Sequence, residues 1–275
     1  MWAPVSPCGE VGMVRGLEPG MVRAGNHGPF TLDGTRTYLV GRRQVAVIDP
    51  GPDEEDHVRA LSRALEGARE IRILLTHRHP DHAGAAGPLS RLLQGGSPAL
   101  PTLLVLGGGA SLHHGDVEGV SPLGEGDAIP TDQGTLVTVE TPGHTRDHLA
   151  FHWVDARAVF VGDLVLGRGD TTWVGEYPGC VEDYLASLRK VGELAPRVLY
   201  PSHGPSLTRP SEALGRFEGH RLRRVEEVRR ARSLYPGAGS LELAKLVYGD
   251  SVPAGMMKAA QLSVEVILHH LQEIS

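Results

Sequence analysis

The feature that most restricts how this chain folds is the histidine-rich stretch Thr76-His77-Arg78-His79-Pro80-Asp81-His82-Ala83-Gly84. Three His and one Asp fall within six residues, directly after the apolar run Ile71-Arg72-Ile73-Leu74-Leu75. Such a run reads as a buried strand, so the polar groups stand where a strand ends and a loop begins. The arrangement recurs three times. His144 follows Leu136–Val139 within Thr141-Pro142-Gly143-His144-Thr145. Asp163 closes Phe160-Val161-Gly162-Asp163, and His203 follows Val198-Leu199 within Tyr200-Pro201-Ser202-His203-Gly204. One such residue alone is ordinary loop chemistry. Four such junctions predict strands laid side by side with their ends at a common rim. Imidazole and carboxylate are good ligands for zinc, iron or manganese. His77 and His79 can both reach one ion, and Asp81-His82, opening a helix, can reach a second nearby.

The first ~200 residues alternate short apolar runs with helical segments, the pattern of a layered α/β or α+β domain. Expected strands are Thr37–Val40, Val45–Asp49, Ile71–Thr76, Thr102–Leu106, Thr135–Thr141, His148–Val154, Ala158–Val161 and Arg197–Tyr200. Expected helices are Glu54–Leu65, Asp81–Leu93 and Val181–Glu193. After Pro210 the pattern becomes helical: Glu212–Leu234, Leu241–Tyr248 capped by Ser240, and Lys258–Gln272. A domain boundary therefore falls near residue 209, separating 1–208 from 209–275. The apolar stripe of the last segment predicts packing on the main domain or on a second copy, which makes a homodimer an expectation.

Net charge is −6, which argues against a general nucleic-acid binder. Residues 209–275 hold 10 Lys/Arg against 8 Asp/Glu, so the acidity lies in the remainder. The two cysteines, Cys8 and Cys180, form no CxxC pair. That suits a reducing compartment and removes thiolate clusters from the metal-site candidates. No apolar stretch approaches the ~20 residues of a membrane span, and a cytoplasmic protein without membrane partners is expected.

The order His77-x-His79-x-Asp81-His82, then His144, Asp163 and His203, resembles the metallo-β-lactamase superfamily across most of residues 26–208. The resemblance implies an α+β fold, an αββα sandwich with a dinuclear site along one edge. Carried over, His77, His79 and His144 would bind the first metal. Asp81, His82 and His203 would bind the second, with Asp163 bridging. The antibiotic lactamases have Cys where this chain has Asp163; a carboxylate there resembles the glyoxalase-II and ribonuclease-Z branches. Asn26, the Thr31-Leu32-Asp33-Gly34-Thr35 stretch with Thr37-Tyr38-Leu39-Val40-Gly41, Asp147-His148 and Asp183-Tyr184-Leu185 resemble the β-lactamase-like protein 2 group. That group implies a small winged-helix-like C-terminal domain and includes endoribonucleases acting on single-stranded RNA. Arg36 departs from the group, which usually has Asn there.

Two divalent ions in such a cage share a water and lower its pKa toward neutrality, giving a hydroxide nucleophile. Zinc is the default, with manganese and iron equally compatible with nitrogen and oxygen donors. Asp81 is expected to be a ligand and also to orient the nucleophile or take its proton. Asp49 either orients a ligand His or caps its loop. His148 either lines the pocket or is structural. His27, His57, His113, His114, His152, His220, His269 and His270 have no ligand spacing. Gly107-Gly108-Gly109 reads as a turn, since no phosphate-loop Lys follows. Arg221, Arg223, Arg224, Arg229, Arg230 and Arg232 read as a solvated face with internal ion pairs. Two substrates compete: a single-stranded RNA phosphodiester, favoured by the group resemblance, and a small thioester of the glyoxalase-II kind. A binding protein with a relic metal site is the third reading, weakened by the complete ligand set.

Overall fold

The structure, a computed structural model, describes residues 17–95, 102–108, 120–249, 252 and 254–273. Cys8, His113, His114 and Gly109 lie outside them. Two sheets carry the fold. The first runs in sequential order through β1 (Gly20–Arg23), β2 (Arg36–Val40), β3 (Gln44–Ile48), β4 (Glu70–Leu75), β5 (Thr102–Gly108) and β6 (Val120–Leu123). The second is ordered β11 (Val198–Pro201), β10 (Ala158–Gly162), β9 (Leu149–Trp153), β8 (Gly134–Glu140) and β7 (Ala128–Thr131). Strands β3 to β6 are mutually parallel. In the second sheet β8 and β10 both run antiparallel to β9, and β11 runs parallel to β10. The three therefore share one direction, and their carboxyl ends come to one edge.

Period-two alternation divides each central strand between two apolar layers. Val45, Val47, Ile71, Ile73 and Leu75 face outward onto Val58 and Leu61 of α1 (Glu55–Ala64) and Leu89 of α3 (Ala86–Gln94). Ala46, Ile48 and Leu74 face inward, where they meet Phe151, Trp153 and Phe160 of the other sheet. Val159 and Val161 turn the other way, onto α4 (Cys180–Glu193). That third layer continues without a break into α5 (Pro210–Leu234), α6 (Ser240–Tyr248) and α7 (Met257–Glu273). The order helix, sheet, sheet, helix is the expected αββα sandwich.

The expected strands are present, and β1, β6 and β7 are additions to them. Each lacks a signal that a pattern reading can use. Most of β1 is exposed, β7 buries Ile129 alone, and β6 is interrupted by Pro122. Three other expectations change. Helix Asp81–Leu93 is broken into α2 (Pro80–Ala83) and α3, because the Ala85 N–H donates to Gly51 O (2.8 Å) instead of continuing the helical ladder. Gly107 and Gly108 extend β5 rather than turning, pairing with Leu75, Pro122 and Leu123. Ser240 is the first residue of α6, and its hydroxyl pairs with Glu265 of α7 (2.8 Å) instead of capping.

Close approach of α4 to the rim rests on Gly143. It has φ +135°, and a Cβ there would lie 2.5 Å from Tyr184 Cα and 2.7 Å from Tyr184 N. Backbone cannot yield as a flexible side chain does. Gly143→Ala is expected to destabilise the fold by at least about 1–3 kcal/mol, measured as a lowered urea midpoint with an unchanged m-value.

Candidate metal centre

All seven ligand-type residues meet at the edge where the strands end. His77, His79, Asp81 and His82 follow β4, His144 follows β8, Asp163 follows β10, and His203 follows β11. The two sheets are tied there by backbone: Leu149 N donates to Thr76 O (2.7 Å) and Arg36 N to Ser202 O (2.8 Å). Three sets of donor atoms converge, each within 4.8 Å: His77, His79 and His144; His77, His82 and Asp163; Asp81, His82 and His203.

Hydrogen bonds behind the rings fix which nitrogen faces inward. Thr76 Oγ1 donates to Asp49 Oδ2 (2.8 Å), so it accepts from His77 Nδ1 (3.0 Å). His82 Nδ1 donates to Asp49 Oδ2 (2.8 Å), and His144 Nδ1 donates to Trp173 O (2.8 Å). Three imidazoles therefore turn Nε2 to the centre, the arrangement that metal-ligating histidines show. His79 turns its Nδ1 inward, 2.9 Å from His77 Nε2 and 3.1 Å from His144 Nε2.

The donor set fits two cations. His82 Nε2, His203 Nε2 and Asp163 Oδ1 are buried without a hydrogen-bond partner, a costly state unless another group satisfies them. His203 Nε2 lies 3.2 Å from Asp81 Oδ2 and 3.4 Å from Asp163 Oδ1. His82 Nε2 lies 3.5 Å and 3.6 Å from the same two carboxylates, and His144 Nε2 lies 3.7 Å from Asp163 Oδ2. Bonds of about 2.0–2.2 Å to a tetrahedral ion would space ligand atoms by roughly 3.3–3.6 Å. Asp163 reaches both halves of the cluster through its two oxygens.

The electrostatics agree. Burial lowers the pKa of His77 well below the ordinary value and that of His79 to about 4, with neighbouring imidazoles adding to the effect. These rings rest neutral, the state that metal ligation would require. For Asp163 burial alone would raise the pKa, but His203 and His82 outweigh it and hold the carboxyl far below its usual range. Burial likewise disfavours charge on His82, but Asp163 and Asp49 together raise its pKa well above the ordinary value. A negative pocket thus surrounds that ring.

Asp49 orients candidate ligand rings, that of His82 directly and that of His77 through Thr76, rather than capping its loop. It is fully buried, and it accepts from Thr76 N, Thr76 Oγ1, His82 Nδ1 and Ser202 Oγ at 2.7–2.8 Å. His148 does not line the cavity. Burial lowers its pKa to about 3, its Nδ1 pairs with Thr141 Oγ1 (2.8 Å), and its Nε2 accepts from Asp163 N (3.2 Å). It positions Asp163. Arg36, the departure from the group, forms a bidentate pair with Asp33 (2.9 and 2.7 Å).

Sequence reasoning missed two supports. Arg78, inside the His motif, ties its loop to Asp147 (2.9 Å) and Glu176. Trp173 supplies the carbonyl that holds His144, and its Nε1 donates to Ala259 O in α7 (3.2 Å). The other histidines are elsewhere: His57 bonds Pro50 O, His220 pairs with Asp170, and His270 with Glu182.

The metallo-beta-lactamase superfamily profile matches residues 30–203. The chain belongs to the metallo-β-lactamase superfamily. It is 30% identical over 253 residues to the beta-lactamase-like protein 2 homolog of Caenorhabditis elegans, covering 90% of this chain and 81% of that one. It is 32% identical over 267 residues to an atrochrysone carboxyl ACP thioesterase of Aspergillus chevalieri, covering 90% and 79%. A metallo-beta-lactamase family protein of Thermus thermophilus shares the fold, with a TM-score of 0.74 at 20% identity over 93% of each chain. This member of the superfamily is a metal-dependent hydrolase. No helix among the described residues is long and apolar enough to cross a membrane.

Asp49→Asn keeps the size and tolerates the local φ of +50°, but presents an N–H to one of its donors. It is expected to lower metal affinity about 10–100-fold with the fold retained, read by chelator competition alongside circular dichroism.

Proposed function

We propose that this protein hydrolyses thioesters of an apolar acyl group at a centre of two divalent ions. The observation that carries this reading is a cavity of about 620 Å³ that opens on His79, Asp81, His144 and Asp163. Its other walls include Phe30, Leu166, Trp173, Val252 and Met256, with no Lys or Arg among the described lining residues. Such walls desolvate an acyl chain and add no side-chain cation to the ions themselves for a phosphodiester backbone, whose binding along its length relies on Lys and Arg. None of the seven arginines of α5 lines this cavity, and all but Arg216 are engaged elsewhere. Arg223 pairs with Asp170, Arg224 with Glu227, and Arg229 and Arg230 with Glu226. Arg232 bonds Ala238 O, and Arg221 is buried against Thr172 O. The thioesterase named among the relatives supports the same direction.

In this proposal His77, His79 and His144 hold one ion, Asp81, His82 and His203 the other, and Asp163 both. Zinc suits the nitrogen and oxygen donors, as do iron and manganese. When bound, the ions supply an activated water and draw charge from the acyl oxygen. The water oxygen bonds to the acyl carbon, the C–S bond breaks, and its electron pair leaves on sulfur. A thiol's pKa of about 8.5 lets it depart without a strong proton donor. Asp81 combines contact with the cluster and exposure to the cavity. Burial would raise its pKa, but His203 and His82 keep it below the usual range, so it stands ionised to orient the water and accept its proton.

Single-stranded RNA is the second reading. It rests on the group resemblance and on Phe30 and Trp173, aromatic faces that can stack bases.

Metal-loaded protein assayed on hexanoyl-N-acetylcysteamine and on a fluorogenic single-stranded RNA separates the two. Thioester turnover abolished by chelation, with intact RNA, is the expected result; RNA cleavage without thioester turnover overturns it. Asp81→Asn is expected to lower kcat by about 10²-fold or more. Full turnover with two ions still bound would remove Asp81 from proton transfer.

A further inference from the structure

Two cavities meet at Pro80 and Asp81. One is the apolar chamber beneath α7. The other is a cleft of about 550 Å³ lined by Asn26, Pro52, Asp53, Pro88 and Arg91, with Gly84 at its floor. The segment from residue 26 to 31 stands between them, with Asn26 on the cleft and Pro29, Phe30 and Thr31 on the chamber. From the structure we infer that the substrate spans this junction in one orientation. The acyl group enters the chamber, and the thiol carrier, a long amide-bearing arm ending in phosphate, lies in the cleft with its phosphate at Arg91. This rests on the thioester reading and specifies the substrate for it.

The chamber side is graded for an apolar end group. Phe30 is 51% exposed at its mouth, an aromatic face left without cover by the chain. Ala259, Ala260 and Ser263 line it from α7. Ser263 Oγ is already committed to Val174 O, so its hydroxyl makes no demand on a ligand. Ala260 is buried and small, so it sets how far the chamber extends beneath the helix.

The cleft side has opposite chemistry. Its prolines and the close packing of Gly84, where a Cβ would lie 2.5 Å from Pro80 O and 3.0 Å from Asp53 N, make a rigid backbone wall. The prolines offer no N–H, so what this wall presents to a carrier is acceptors, the Asp53 carboxylate and backbone carbonyls, which suit the N–H groups of an amide-bearing arm and give a hydrocarbon chain less. Among the described residues Arg91 is the one Lys or Arg lining either cavity. It is exposed on α3 and has no carboxylate partner among them. Asp53 in the same cleft makes general anion attraction weak, so recognition of phosphate rests on that single guanidinium. A thioester in the reverse sense would place a charged carrier against Trp173, Val252 and Met256, where its desolvation is uncompensated.

The test crosses acetyl and hexanoyl groups with N-acetylcysteamine and coenzyme A, four substrates on the full chain. Ala260→Phe is expected to lower the hexanoyl-to-acetyl ratio of kcat/KM more than about tenfold, equally on both carriers. Ala260→Val, a smaller intrusion, gives the same direction should the Phe variant fail to fold. Arg91→Ala is expected to raise the coenzyme A-to-N-acetylcysteamine ratio of KM about 3–10-fold at both acyl lengths, with Arg91→Lys recovering part of it. An Ala260 variant that discriminates carriers, or an Arg91 variant that shifts both carriers alike, overturns the orientation while the thioester reading stands. Failure of the wild type on all four substrates overturns both.

Discussion

Asp49 is the charge on which the two sheets agree. It sits past the end of β3 at φ +50°, fully buried, with four hydrogen bonds donated to it. One pair comes from Thr76 past β4, one bond from His82 in α2, and one from Ser202 past β11. A carboxylate so far from water is costly unless its hydrogen bonds are met, so each partner is held in place by the need to satisfy it. Through Thr76 and His82 the same group sets the proton positions of two rings that face the centre. Packing of the sandwich and orientation of the ligand rings are therefore one problem with one solution.

The ligand rim is legible in the sequence for a topological reason. Strands β4, β8, β10 and β11 each end in an abrupt change from apolar to His or Asp, and strands sharing a direction bring such ends together. What lies behind the rim is less legible. Trp173 holds His144 through a carbonyl, which every residue possesses, so no residue type signals it. His148 and Asp49 are visible as polar residues near strand ends, but whether they face a cavity or another residue depends on packing. The break after α2 depends on an acceptor, Gly51 O, more than thirty residues upstream. Edge strands β1 and β7 bury too little to leave a periodic trace.

The helical C-terminal segment is similarly half visible. Its apolar faces predict packing, and the structure shows them joined to the outer layer of the second sheet through Leu214, Phe217 and Val264. Its part in the site is hidden because it arises from long-range contact. Trp173 Nε1 reaches Ala259, Ser263 reaches Val174, and Arg221 reaches Thr172. The strap of residues 171–175 thus joins helices α5 and α7 to a ring at the centre, and the strap and α7 both line the cavity beside that ring.

The shared direction of the strands also has a reverse side. The turns at Gly41–Arg43, Asp132–Gln133 and Asp155–Arg157 lie at the opposite end of the sandwich, stitched together by local bonds such as those from Arg42 and Arg43 N–H to Asp132. None of the ligand residues belongs to that end. It is the natural handle of the molecule: a fluorophore, affinity tag or surface linker attached at the exposed Val154 would leave the opening of the cavity turned toward solution.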